Sequence, residues 1–142
     1  MLYLSNFWES KVSMRVYTIG YSGRKITNFI SALKERDVTI VIDVRRFPKS
    51  SEPAFNRENL EIALKENNIR YIFLGENLGG FVREGYEKYM ETRKFKEGLT
   101  LLLNIIREGN AVLMCRERNV KYCHRRFISQ ILENLGIEVI HI

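Results

Sequence analysis

The residues best suited to chemistry crowd into one stretch of this 142-residue chain, from Cys115 to Arg126. Cys115-Arg116-Glu117 closes an apolar run, Ala111-Val112-Leu113-Met114. After a short polar loop, Cys123-His124-Arg125-Arg126 opens a helical pattern. Two thiols, an imidazole, a carboxylate and several guanidiniums thus surround one strand-to-helix turn, the place where α/β proteins hold ligands. The unpaired amides and macrodipole of a helix start attract anions. Arginine's planar fork suits phosphate. Arg125 and Arg126 lie off the apolar stripe of that helix, with reach to a ligand, and Arg116, Arg118 and Lys121 add to the field. Basic residues at a helix start oppose the dipole at about 0.3–1 kcal/mol each, so the arrangement suggests a use.

Cys115, ending a buried strand among arginines, is expected to gain thiolate character and serve as nucleophile, with His124 assisting. The phosphate loop of thiol-dependent phosphatases has a Cys, five residues, then an Arg. Here Lys121 stands at that spacing, and no glycine permits a tight cradle. Cys123, at a cap position, is a second candidate thiolate. The pair is open to three readings: free thiols, a disulfide, or metal ligands with Asp43 or Glu117 as a further donor. The spacing matches no compact zinc signature, so no metal is assigned. His124 falls on the apolar stripe, which points its ring toward the sheet.

Asp43 is the only acid in the apolar run Thr39-Ile40-Val41-Ile42-Asp43-Val44, with Arg45 two residues on. A buried acid needs a partner. Asp43 is therefore either half of a structural ion pair or a general base. Glu117, between Arg116 and Arg118, is a second candidate for carrying a proton. Gly20-Tyr21-Ser22-Gly23 and Leu78-Gly79-Gly80 are loops whose amides can hold phosphate. That brings Ser22, Gly79 and Gly80 into a ligand set with Arg45, Cys123 and Arg125. Neither loop matches a P-loop or a dinucleotide fingerprint, so no cofactor is implied.

The elements that must position these residues alternate. Val16–Ile19, Thr39–Val44, Arg70–Leu74, Ala111–Met114 and Ile137–Ile140 read as strands. Between them, Ile26/Phe29/Ile30/Leu33, Leu60/Ala63/Leu64 and Phe95/Leu99/Leu102/Leu103/Ile106 recur at helical spacing, as do His124/Phe127/Ile128/Ile131/Leu132/Leu135. Tyr86, Tyr89 and Met90 mark a further helical stretch. Asn56 is placed to cap the second helix. The expected fold is α/β: a single domain with a mostly parallel five-stranded sheet and helices on both faces. In such a sheet every strand-to-helix loop leaves at the carboxyl edge. Four loops should therefore converge: Gly20–Arg24, Asp43–Arg46, Gly75–Gly80 and Cys115–Arg126.

Residues 1–13 lack a clear period and read as an N-terminal extension to an α/β domain over 14–142. Phe7 and Trp8 suggest that the extension packs on something, such as a second copy of the chain. The composition, 45% hydrophobic and 28% charged, is that of a globular protein. No apolar run approaches the roughly 20 residues that span a bilayer, so no membrane partner is expected. No signal-peptide pattern appears, which makes the cytoplasm the default location. The net charge of +6 favours anionic partners.

These spaced residues resemble the family known as domain of unknown function 488. The matching pieces are Thr18-Ile19-Gly20 with Ser22, Asp43-Val44-Arg45 with Pro48 and Ser50, Leu78-Gly79-Gly80, and Tyr89-Met90 with Thr92 and Phe95. Met114-Cys115 with Glu117, Cys123-His124-Arg125, and Val139 with His141-Ile142 complete the set. The likeness runs from Val16 to Ile142. It departs at Tyr21, where the family often has histidine. It implies an α/β domain and supplies no activity. By resemblance alone, His141 joins the candidate residues. The leading expectation is a domain that binds or acts on a small phosphorylated or nucleotide-like anion, as a hydrolase or transferase would. The alternative is a nucleic-acid module on the same basic edge, with exposed Tyr21, Phe47 and Phe81 stacking on bases. A metal-dependent enzyme ranks third.

Overall fold

The computed structural model describes residues 14–142; the extension over 1–13, and any contact expected of it, lies outside the described residues. Five strands, β1 (Arg15–Gly20), β2 (Ile40–Asp43), β3 (Arg70–Phe73), β4 (Ala111–Cys115) and β5 (Glu138–His141), form one sheet in the order β3-β2-β4-β1-β5. Every neighbouring pair is parallel, so the sheet is wholly rather than mostly parallel. The two strands with uninterrupted apolar runs, β2 and β4, sit centrally and are buried along their whole length. Their β-branched and apolar composition suits a strand covered on both faces. The edge strands β3 and β5 carry Arg70 and Glu138, which tolerate solvent.

Among the described residues there are six α-helices: α1 (Ile26–Glu35), α2 (Arg57–Glu66), α3 (Gly75–Leu78), α4 (Tyr86–Tyr89), α5 (Arg93–Ile106) and α6 (Arg125–Asn134). Strand side chains alternate between faces. Val41 and Val112 pack with Phe29 and Leu33 of α1 and Leu60 and Leu64 of α2. Ile42 and Leu113 pack with Leu102 and Ile106 of α5 and Ile128 and Leu132 of α6. Asn56 does occupy the cap position of α2, but its side chain makes no cap bond. Its Oδ1 instead accepts the Ser50 amide at 2.6 Å, because the proline-punctuated loop folds back over the helix start.

This order positions the site. From β1 to β3 the chain moves one way along the sheet through α1 and α2, on one face. From β4 to β5 it returns through α6, on the other. The neighbours β2 and β4 therefore send their loops to opposite faces, which leaves a crevice at their carboxyl ends. The register places Asp43 opposite Met114, and Gly20 opposite Cys115, so three strands end almost level.

Candidate functional site

A cavity of about 540 Å³ opens in that crevice, and all four converging loops line it. Tyr21 comes from the first loop, Arg45 and Arg46 from the second, Gly80 from the third. Cys115, Arg116, Glu117, Cys123 and His124 come from the fourth. The volume lies within the range of small-molecule sites. Phe47 and Phe81, expected on this edge as stacking rings, line it too, together with Lys49, Val82, Tyr86 and Tyr122. Four cations, Arg45, Arg46, Lys49 and Arg116, thus face one carboxylate, Glu117.

Asp43 does not reach the cavity. It is wholly buried, and four donors saturate its carboxylate. The Arg45 amide (3.0 Å) and Nε (2.9 Å) donate to Oδ1, while Arg45 Nη2 (2.8 Å) and the Tyr71 hydroxyl (2.6 Å) donate to Oδ2. Arg45 Nη1 donates to the Phe55 carbonyl at 2.8 Å. Burial and the Asp43 charge push the Tyr71 hydroxyl well above its ordinary value, which keeps it a donor. Asp43 and Arg45 therefore form a buried ion pair. Arg45 shapes the cavity wall with a charge already balanced, which leaves Arg46, Lys49 and Arg116 to set its field. Arg46 also bridges two loops, donating Nε to the Gly80 carbonyl (2.6 Å) and Nη2 to that of Gly79 (3.0 Å). Lys49 has no ion-pair partner among the described residues.

His124 occupies the cap position of α6 and turns inward, as its place on the apolar stripe required. Its Nε2 lies 2.8 Å from the Val44 carbonyl, and its Nδ1 lies 3.8 Å from the Cys123 sulfur. The sulfurs of Cys115 and Cys123 are in contact with each other. Burial, with smaller effects from the Arg125 and Arg46 charges, holds the His124 imidazole below its ordinary value of 6.5, against the Val44 bond that raises it. Burial and the Arg125 charge lower His141 too. The native state therefore resists protons that the unfolded chain accepts. Stability should fall as pH drops below 6.5 and level off beneath the folded values. Denaturant midpoints between about pH 8 and about pH 5 should show this slope, and His124→Gln should flatten it. Equal slopes would remove His124 as a cause.

Arg125 departs from its expected place. It lies off the apolar stripe, yet it is only 1% exposed and does not line the cavity. A side chain in the first turn of a helix leans back toward the N-terminus, and here that direction leads under the end of β1. Nη1 donates to Thr18 Oγ1 at 2.9 Å and Nη2 to the Glu117 carbonyl at 2.5 Å, while Nε is buried without a partner. Burial, then repulsion from Arg24, lowers its guanidinium to about 10, still charged at neutral pH. Thr18 Oγ1 also lies 2.5 Å from His141 Nδ1. His141 thus sits at the carboxyl end of β5, on the same edge as the loops, tied to the Glu117 loop through Thr18 and Arg125. In the sequence Thr18 was marked only by its place in a strand and by the Thr18-Ile19-Gly20 piece of the resemblance.

Ser22 also stays outside the cavity. Its amide donates to the Arg116 carbonyl at 2.9 Å, which extends the β1–β4 pairing into the loops. Gly20 makes this approach possible, because a Cβ there would stand within bonding distance of the Glu117 carbonyl. Gly79 and Gly80 give their carbonyls to Arg46, and Gly80 alone of the two lines the cavity. Tyr21 is buried rather than exposed, stacked on Phe55 with ring centroids 4.4 Å apart. Among the described residues the exposed rings are Phe47 (66%), Phe81 (90%) and Tyr122 (75%), all three at the cavity rim. Tyr122 and Lys49 went unread in the sequence. Their only signal was adjacency, Tyr122 to Cys123 and Lys49 to the prolines of its loop. Among the described residues no three of His, Cys, Asp and Glu cluster in a way that would hold a metal ion. None of the described helices is long and apolar enough to cross a membrane.

A family model described as domain of unknown function DUF488 matches residues 25–82 and 81–132. No curated protein and no solved structure matches the chain.

Proposed function

The chain belongs to the DUF488 family, whose description names no activity, and from the site itself we propose that it binds or acts on a small phosphorylated or nucleotide-like anion. The observation that carries this reading is the cavity lining, where Arg46, Lys49 and Arg116 outnumber Glu117 once Arg45 is set aside as balanced. A concave, partly apolar wall with a few cations is what a compact anion needs. The rings of Phe47, Phe81 and Tyr122 at the rim favour an anion with a planar group. In the reduced protein, the cysteine sulfurs in the lining would supply a nucleophile for a bound ligand.

Melting temperature should be read against phosphate, mononucleotides and short DNA and RNA, at low and moderate salt. The comparison is a Lys49→Ala/Arg116→Ala variant, whose two side chains are exposed. A ligand present at a hundredfold its Kd should stabilise the fold by about 2.7 kcal/mol. A shift from one small ligand that survives moderate salt and disappears in the variant is the expected result. No shift with any small ligand would overturn the reading.

The second reading, a nucleic-acid surface, is favoured by the same three exposed rings beside the exposed cations Arg116, Arg118 and Lys121. It predicts binding of polymers alone, weakening steeply with salt as counterions are released.

A further inference from the structure

The two sulfurs in the cavity lining have unequal surroundings. Cys115 ends β4, and among the described residues its Sγ receives no hydrogen bond. Cys123 stands just before α6, and its Sγ accepts the Arg125 amide at 3.4 Å in the first turn of that ten-residue helix. A donor of that kind, with the helix field behind it, stabilises a thiolate. The tautomer of His124 is set by its other contact. The Val44 carbonyl can only accept, so Nε2 carries the hydrogen. The neutral ring then presents its lone pair at Nδ1, the atom 3.8 Å from Cys123 Sγ. Gly80 keeps that nitrogen uncovered, since a Cβ at position 80 would stand 3.0 Å from it.

We propose that Cys115 and Cys123 are a working dithiol–disulfide couple acting on a small anionic disulfide, with Cys123 the attacking thiolate, His124 its base and Cys115 the resolving thiol. The proposal rests on the anion reading above only for the charge of the substrate. His124 Nδ1 takes the Cys123 proton, and the thiolate attacks one sulfur of the substrate. The substrate S–S bond breaks as a mixed disulfide forms on Cys123. The departing thiolate takes the proton held by His124. Cys115 then loses its proton and attacks the Cys123 sulfur, expelling the second substrate thiolate, which is protonated in turn. Two protein thiols are oxidised, and one disulfide is reduced to two thiols. A dithiol from solution reverses the protein half and returns the couple to its reduced form.

The test mixes the reduced full chain with oxidised glutathione, an anionic disulfide, or bis(hydroxyethyl) disulfide, a neutral one, and reads products by intact mass. Melting temperatures of the reduced variants are taken alongside. The wild-type protein should end as the internal disulfide with no glutathione attached, and should prefer the anionic substrate. Cys115→Ser should stop at one mixed disulfide, with glutathione retained on the protein. Cys123→Ser should react about a hundredfold more slowly, having lost the thiol that the base serves. His124→Gln keeps a donor for Val44 but has no basic nitrogen. Its rate should be low at neutral pH and recover as pH approaches about 8.5, the value of a free thiol. A merely structural histidine would not give that profile. A fast Cys123→Ser, a mixed disulfide that persists in the wild type, or an unchanged pH profile in His124→Gln would each overturn the proposal. Equal rates with both disulfides would overturn the anionic substrate class proposed here, while the anion pocket would still be judged by the melting experiment. No reaction with either would overturn the couple, while the melting experiment would still judge the anion pocket.

Discussion

Asp43→Ala should cost about 3–5 kcal/mol of folding stability, the penalty for leaving a buried charge without its partner. Asp43 is wholly buried, and Arg45 is almost so. Three of the four hydrogen bonds that Asp43 accepts come from Arg45, including the bidentate pair at 2.9 and 2.8 Å. Removal of the carboxylate strands a guanidinium and leaves the Tyr71 hydroxyl unpaired. A domain's whole stability is only about 5–15 kcal/mol, so the variant should sit close to unfolding in mild denaturant. The double change Asp43→Leu/Arg45→Met removes both charges and should recover much of the loss, since an apolar pair can replace a buried ion pair. Urea unfolding of the three proteins checks this. A cost under about 1 kcal/mol for Asp43→Ala, together with loss of ligand binding, would return Asp43 to the role of base or ligand anchor that its sequence position also allowed.

The same pair shows how far the sequence could be read. The run Thr39–Val44 announced a strand buried on both faces, and a buried acid at its end announced a partner. Parallel topology then brought the loop residues to one edge without knowledge of strand order. That order was not legible, because no local pattern says that β4 inserts between β2 and β1. Everything that depends on neighbours was therefore hidden: Tyr71 reaching Asp43 from β3, Thr18 meeting both Arg125 and His141, Gly20 pressed against the Glu117 carbonyl. Side-chain direction failed in the same way. A helical wheel assigns Arg125 to the solvent side from the run of the stripe, but in the first turn the side chain leans backward, and the end of β1 waits there. Tyr21 reads as a loop ring free to stack on a base. The close approach at Gly20 instead turns it onto Phe55. His124 was legible because its requirement was local: a histidine on an apolar stripe must face the sheet and find one acceptor.

Phe81→Gly should move stability and ligand binding in opposite directions. Among the described residues three non-glycine positions have positive φ: Asp37 (54°), Asn68 (60°) and Phe81 (57°). Asp37 and Asn68 follow the ends of α1 and α2, and their short polar side chains tolerate the left-handed region. Phenylalanine does not, and the conformation costs about 1–2 kcal/mol. Burial returns nothing, because the ring is 90% exposed. A strained, exposed aromatic at the rim of a basic cavity gives the fold little, and such strain gathers at ligand sites. Glycine relieves the strain but adds freedom to the unfolded chain, so the net gain should be about 0.5–1 kcal/mol. Loss of the ring should weaken a nucleotide-like ligand by about 1–3 kcal/mol, the worth of one stacked base. Phe81→Ala separates the two effects, since it keeps the strain and loses the ring. It should bind as poorly as Phe81→Gly while melting no higher than the wild type. Urea unfolding and ligand-linked melting read both quantities. If Phe81→Gly destabilises the fold, the ring is a packing element. If binding is unchanged, the rim aromatics do not hold the ligand, and the cations alone must carry its recognition.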